Sequence, residues 1–175
     1  NVNQIIGPTA TPQSDELTGF DTNAIWFIDG NDGGGTPNDY YEDQSTSRRL
    51  LFEGFKDLTG ASLADTFRFD NSDAGGATPD PQLFNIDGGG SSDVLIGDDA
   101  RQHNFTISGP GSGTLVNPDA GPDLLRTGFT NIETLVGGLV NDTFTFTNAG
   151  SLTGDIDGDQ GDDTLIGDND GNLIT

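Results

Sequence analysis

Apolar and polar residues alternate over short stretches of the chain, and the same alternation recurs. Residues 65–69 read Asp-Thr-Phe-Arg-Phe, and residues 142–146 read Asp-Thr-Phe-Thr-Phe. A period of two residues is typical of a β-strand that buries one face. The pattern therefore predicts an all-β protein in which the in-register aromatic side chains stack in the core, namely Phe67, Phe69, Phe144 and Phe146.

These strands belong to longer internal repeats. Residues 58–69 superpose without gaps on residues 135–146, and residues 17–28 form a degenerate third copy. In a second pair, residues 86–98 and 156–168, both copies begin with Ile-Asp-Gly and end with Leu-Ile-Gly-Asp. Self-similarity of short strands at a near-constant spacing is the signature of a solenoid.

The repeats also predict how the chain is divided. Residues 58–175 form β-solenoid repeats, 58–134 and 135–175, whereas residues 1–57 form an N-terminal segment that is a degenerate repeat or a cap. The chain begins with Asn1 and contains no Met, which indicates a segment of a longer protein.

Charge excludes several classes of protein. The chain has 29 Asp plus Glu against 6 Lys plus Arg, a formal net charge of −23, so a nucleic-acid binder with a basic face is excluded. No apolar run approaches the roughly 20 residues that span a bilayer, so we expect no membrane insertion. The acids are mostly Asp, which favours turns over helices and attracts cations.

A nine-residue element, Gly-Gly-x-Gly-x-Asp-x-U-x with U a large apolar residue, accompanies the repeats. Residues 137–145 follow it except at Val140, and residues 158–166 follow it except at Asp159. Further copies lie at 60–68, 88–96 and, more loosely, 167–175. Glycines allow tight turns that aim carbonyl oxygens inward, and the Asp adds a carboxylate, so the element suits Ca²⁺.

At these residues the sequence resembles the repeats-in-toxin nonapeptides and, more widely, modules of large secreted bacterial adhesins and haemagglutinin-like proteins. The resemblance covers about residues 55–175. It implies a right-handed parallel β-helix or β-solenoid with Gly-Asp-rich turns, in which Ca²⁺ binds between stacked strands. By motif position it implies four carboxylate ligands: Asp65, Asp93, Asp142 and Asp163.

A dense acidic stretch adds further candidate ligands. Five Asp residues lie within residues 155–163 and repel one another unless a cation neutralises them or loops hold them apart. The added candidates for Ca²⁺ are Asp155, Asp157, Asp159 and, from the last copy, Asp168. Solvated Asp turns without an ion remain the alternative.

Other chemistry is sparse. His103 is the only histidine and there is no Cys, so a zinc site of the usual kind cannot be built, and we expect His103 at the surface. No nucleophile-elbow pattern and no cluster of Arg, Lys and Tyr is present, so we predict that the chain is not an enzyme.

Two functional classes follow. The first is an extracellular, calcium-binding structural or adhesive segment of a larger secreted bacterial surface protein, with end-to-end or lateral self-assembly into filaments left open. The second is a carbohydrate-binding module attached to a polysaccharide-modifying enzyme, with surface polysaccharide as its partner. A charge of −23 argues against acidic polysaccharides unless Ca²⁺ bridges the anions.

Overall fold

The computed structural model describes residues 4–6, 15–28, 39–53, 55, 57–69, 83–118, 126–147 and 149–168. Sixteen short strands are present in these ranges, and they form two sheets of eight strands each. The strands are β1 (Gln4–Ile6), β2 (Glu16–Thr18), β3 (Ala24–Ile28), β4 (Tyr40–Asp43), β5 (Arg48–Glu53), β6 (Asp57–Thr59), β7 (Asp65–Phe69), β8 (Leu83–Asp87), β9 (Val94–Ile96), β10 (Asn104–Gly109), β11 (Ser112–Val116), β12 (Arg126–Thr130), β13 (Thr134–Gly138), β14 (Thr143–Phe146), β15 (Ile156–Asp159) and β16 (Thr164–Ile166).

The chain passes repeatedly from one sheet to the other. Sheet A has the order β1-β5-β4-β3-β7-β9-β13-β15, and sheet B has the order β16-β14-β10-β11-β12-β8-β6-β2. Most neighbours within a sheet are parallel, because successive passes add strands to the same sheet in the same direction. The N-terminal residues take part in this arrangement, since β2 pairs with β6 and β3 pairs with β7.

The all-β prediction agrees with the strands, but the prediction of a right-handed parallel β-helix or β-solenoid is wrong. Both sheets are mixed, because β3-β4-β5 in sheet A and β10-β11-β12 in sheet B pair antiparallel. Local turn chemistry explains the two tight hairpins. The Asp43 side chain accepts hydrogen bonds from the Ser45 amide (2.8 Å) and the Thr46 hydroxyl (2.7 Å) between β4 and β5, and Gly111 has φ +55° between β10 and β11.

The internal repeats occupy the two sheets in opposite order. Residues 58–69 run from sheet B to sheet A, whereas the similar residues 135–146 run from sheet A to sheet B. The pair 86–98 and 156–168 is exchanged in the same way. The repeated unit is therefore a strand, a corner and a strand, used in both directions between the sheets. The loose copy at 167–175 lies mostly outside the described residues.

One core lies between the sheets and contains stacked aromatic rings. Trp26 stacks on Phe67, its neighbour in sheet A, with ring centroids 5.5 Å apart, and Phe105 stacks on Phe144 in sheet B at 4.7 Å. The predicted core positions Phe67, Phe69 and Phe144 are buried, and Phe146 packs against the core while partly exposed. Stacked in-register rings favour one alignment of adjacent strands. Within the described residues, no helix is long and apolar enough to cross a membrane.

Candidate functional site

Four corners between the sheets share one feature, a glycine followed five residues later by an aspartate. The aspartate side chain folds back over the glycine, where a side chain would not fit. A Cβ on Gly88, for example, would lie 2.8 Å from Asp93 Oδ2 and would also collide with the Asn131 carbonyl oxygen. The glycine and aspartate pairs are Gly60–Asp65, Gly88–Asp93, Gly137–Asp142 and Gly158–Asp163.

The first carboxylate ladder consists of Asp65, Asp93 and Glu133, at the corners that lead from sheet B to sheet A. The Asp65 amide donates a hydrogen bond to Asp93 Oδ1 (2.7 Å), and the Asp93 amide donates to Glu133 Oε2 (2.7 Å). Each carboxylate therefore holds the backbone of the layer before it. Such charge-assisted bonds are stronger than those between neutral groups.

The second carboxylate ladder consists of His103, Asp142 and Asp163, at the corners that lead from sheet A to sheet B. The His103 amide donates to Asp142 Oδ1 (2.6 Å), and the Asp142 amide donates to Asp163 Oδ1 (2.8 Å). The geometry matches that of the first ladder. Since both ladders repeat one contact from layer to layer, the repeat aspartates act as connectors between stacked corners.

His103 takes the aspartate position at the first corner of the second ladder. It is fully buried, so the expectation of a surface residue is wrong. Its ring lies between two buried carboxylates, with Nδ1 3.2 Å from Asp142 Oδ1 and Nε2 3.5 Å from Asp98 Oδ2. Burial lowers the pKa of His103, but the bonds to Asp142 and Asp98 outweigh burial and raise this pKa above its usual value.

The ladders leave several buried oxygens without hydrogen bonds. Asp65 Oδ1, Asp93 Oδ2 and Asp142 Oδ2 are buried and have no hydrogen-bond partner. Burial raises the pKa of Asp65, opposed chiefly by the Ala61 amide. Burial also raises the pKa of Asp93 to about 7, despite the opposing bond from the Asp65 amide, and the negative charges of Glu133, Asp65 and Asp87 raise this pKa further. Unpaired buried carboxylate oxygens favour a proton or a cation.

We predict that Asp93 makes the protein less stable as the pH rises. Between about pH 4 and pH 7 the folded chain keeps a proton on Asp93 that the unfolded chain releases, so the free energy of unfolding falls across this window. Asp93→Asn keeps an acceptor for the Asp65 amide and removes the titration. Urea unfolding of both proteins with a chelator, from pH 4 to pH 8, should show a shallower fall in the variant.

Two other groups limit how flat the Asp93→Asn profile becomes. The pKa values of Asp65 and His103 are also raised, and both groups lose stabilisation as the pH increases. The useful quantity is therefore the difference between wild type and variant. If this difference is constant from pH 4 to pH 8, Asp93 has an ordinary pKa and the explanation is wrong.

The structure brings together half of the predicted calcium ligands, in pairs. Asp65 contacts the Asp93 layer in the first ladder, and Asp142 contacts the Asp163 layer in the second. The other four candidates are outside the ladders: Asp155, Asp157 and Asp159 are exposed, and Asp168 is partly buried. The described ranges contain no group of three or more His, Cys, Asp or Glu side chains that could hold a metal ion.

The donor atoms at the ladders fit Ca²⁺ in kind but are few. Near Gly88, the unpartnered Asp93 Oδ2 and the Asn131 carbonyl oxygen approach the same glycine. Near Gly137, a Cβ would meet Asp142 Oδ2 and, at 2.8 Å, the Gly158 carbonyl oxygen. Ca²⁺ takes roughly six to eight oxygens, so two protein oxygens at each place supply only part of a coordination shell. The calcium prediction stays a prediction.

Sequence reasoning missed Glu133, Asp98 and His103 as ladder or cluster residues. A signal for His103 was available, because Asn104-Phe105-Thr106-Ile107 pairs in register with residues 143–146 and places His103 opposite Asp142. The corner from Gly97 to His103 is one residue longer than the others, which hid the equivalence. Glu133 gave no such signal, because its corner contains no glycine.

No protein-family model, curated protein or solved structure matches this chain.

Proposed function

We propose that the chain is a structural or adhesive segment of a larger secreted bacterial surface protein, working outside the cell and without catalysis. One observation carries the proposal, the pair of carboxylate ladders. Their side chains are the most chemically capable in the described core, and they bind backbone amides of the neighbouring layer. A site built in this way holds layers together.

The stacked aromatic rings support the same role. Trp26 with Phe67 and Phe105 with Phe144 stack between adjacent parallel strands, so packing and hydrogen bonding both act along the direction in which strands are added. A chain stabilised mainly between neighbouring layers suits an extended spacer, because stability accumulates layer by layer.

Self-association is part of the proposal. β16 is the last strand of sheet B, and its Leu165 and Ile166 are 47% and 45% exposed, whereas Phe144 in the adjacent strand is buried. An edge strand with exposed apolar side chains is able to pair with a further strand. A second copy of the chain, joined end to end, is the partner we propose for this edge.

Ca²⁺ is the cofactor we propose. The residues that would hold it are Asp65 and Asp93 in the first ladder and Asp142 in the second, through the oxygens that lack hydrogen bonds. When bound, Ca²⁺ would supply positive charge that neutralises buried carboxylates and locks the corners. A net charge of −23 makes such neutralisation valuable for folding and for contact between copies.

A Ca²⁺ titration of the chelated protein tests the proposal. We expect Ca²⁺ in the millimolar range to raise the thermal midpoint by about 5 °C and to increase light scattering, since a ligand that binds only the folded state stabilises it. Mg²⁺ is the control, because it demands smaller, near-octahedral sites. β-sheet circular dichroism, thermal unfolding and scattering are the measurements.

Two results would contradict the proposal. No response to Ca²⁺ would remove the cofactor and leave only the ladders as connectors. Conversion of uronate polymers into unsaturated products by the purified chain would contradict a non-enzymatic role.

A further inference from the structure

The outer face of sheet B carries polar side chains in register across four strands. Strand pairing places Glu16 opposite Asp57, Asp57 opposite Asn85, and Asn85 opposite Gly128. Side chains alternate across a strand, so these residues point away from the core that Leu58 and Ile86 enter. One row of the outer face therefore contains two carboxylates, an amide and a position without a side chain.

This face forms an open groove of about 550 Å³. Gly128 opens its floor, since a Cβ there would meet only Asn85 Oδ1, at 3.4 Å. Hydroxyl groups contribute to the lining as well, from Thr59, Thr130, Ser108 and Ser112. The volume lies in the range of ligand pockets, and the lining offers acceptors and donors at many points.

Three carboxylates of the groove are held in place through one oxygen each. Glu16 Oε1 accepts from the Thr59 hydroxyl (3.1 Å) and Asp57 Oδ1 from the Asn85 amide (2.6 Å). Asp87 Oδ1 accepts from the Asn131 amide (2.7 Å). The second oxygen of each accepts no hydrogen bond from the described residues, whose groove lining includes no Lys or Arg. The groove is thus negatively charged, with carboxylates already oriented.

We propose that this groove binds a polysaccharide of amino sugars with free ammonium groups. The ammonium groups would pair with the free oxygens of Glu16, Asp57 and Asp87, and the sugar hydroxyls would bond to Asn85 and the hydroxyl-bearing lining. A basic peptide would satisfy the carboxylates but leave the hydroxyl lining unpaired. An acidic polysaccharide would be repelled.

This inference names the partner of the adhesive role and rests on the function proposed above. Its failure is separable from failure of that function, because the Ca²⁺ titration reports on the ladders and no groove residue belongs to them. A negative result for the sugar therefore removes the adhesion target without touching the connector role.

Calorimetric titration of the full chain with a glucosamine hexasaccharide, at mildly acidic pH and low salt, tests the inference. We expect saturable binding, at least about tenfold tighter than for the N-acetylated hexasaccharide or for hexalysine. Gly128→Leu fills the groove without a backbone clash and should abolish binding. Asp57→Asn should weaken binding about tenfold while Asp162→Asn, an exposed carboxylate outside the groove, should leave it unchanged.

Several results would overturn the inference. Absence of saturable binding would do so, as would wild-type affinity in a folded Gly128→Leu protein. Equal affinity for hexalysine would indicate charge attraction to basic peptides, and equal loss in Asp57→Asn and Asp162→Asn would indicate attraction to the whole acidic surface. Circular dichroism of each variant establishes that it is folded.

Discussion

Gly88→Ala is expected to lower the free energy of unfolding by about 3 kcal/mol, at the upper end of the cost of overpacking. The added methyl group would collide with the Asn131 carbonyl oxygen and would lie 2.8 Å from Asp93 Oδ2. The carbonyl is backbone in the next layer, so it cannot rotate away. Relief requires moving the corner, which breaks the bond between the Asp65 amide and Asp93. Urea unfolding with a chelator measures the loss.

Gly90→Ala, two residues along the same corner, is the matched control. The nearest atom to a Cβ there is the Ser62 Cα at 3.6 Å, an ordinary contact, so we expect a change within about 0.5 kcal/mol. Equal effects of the two substitutions would mean that the Gly88 cost reflects glycine loss in general. The close approach of Asp93 would then have no part in stability.

The alternation of apolar and polar residues was sufficient to predict strands but not their directions. Residues 65–69 form β7, and its alternate residues Phe67 and Phe69 are buried as predicted. Alternation decides which face of a strand is buried, and parallel and antiparallel neighbours satisfy it equally. The repeats suggested parallel pairing throughout, whereas the short turns after Asp43 and at Gly111 reverse the chain.

The repeats identified the aspartates of the corners but not their partners. The sequence shows Asp65, Asp93 and Asp142 at one motif position, and calcium coordination explained their residue type. Their observed partners are backbone amides of an adjacent layer, which depend on how corners stack. Stacking is set by strand register across residues far apart in sequence, and a motif read within one corner does not contain it.

Asp142→Ala is expected to cost about 3 to 5 kcal/mol of unfolding free energy, because it leaves a buried charge without its partner. The residue accepts the His103 amide and lies 3.2 Å from the buried His103 ring. Asp142→Asn keeps an oxygen for the amide and loses only the charge, so a smaller cost of about 1 to 2 kcal/mol is expected. Asp162→Ala, an exposed carboxylate in the same region, should change stability by less than about 0.5 kcal/mol.

The pH dependence of the Asp142→Asn cost separates charge pairing from simple hydrogen bonding. The pKa of His103 is raised, so the stabilisation from its pairing with Asp142 is complete below pH 6.5 and is lost as the pH rises through the folded-state pKa. The cost of Asp142→Asn should therefore be larger at pH 6 than at pH 9, in urea unfolding with a chelator. A cost that does not vary with pH would mean that His103 is neutral in the fold. In that case the second ladder is held by amide bonds alone.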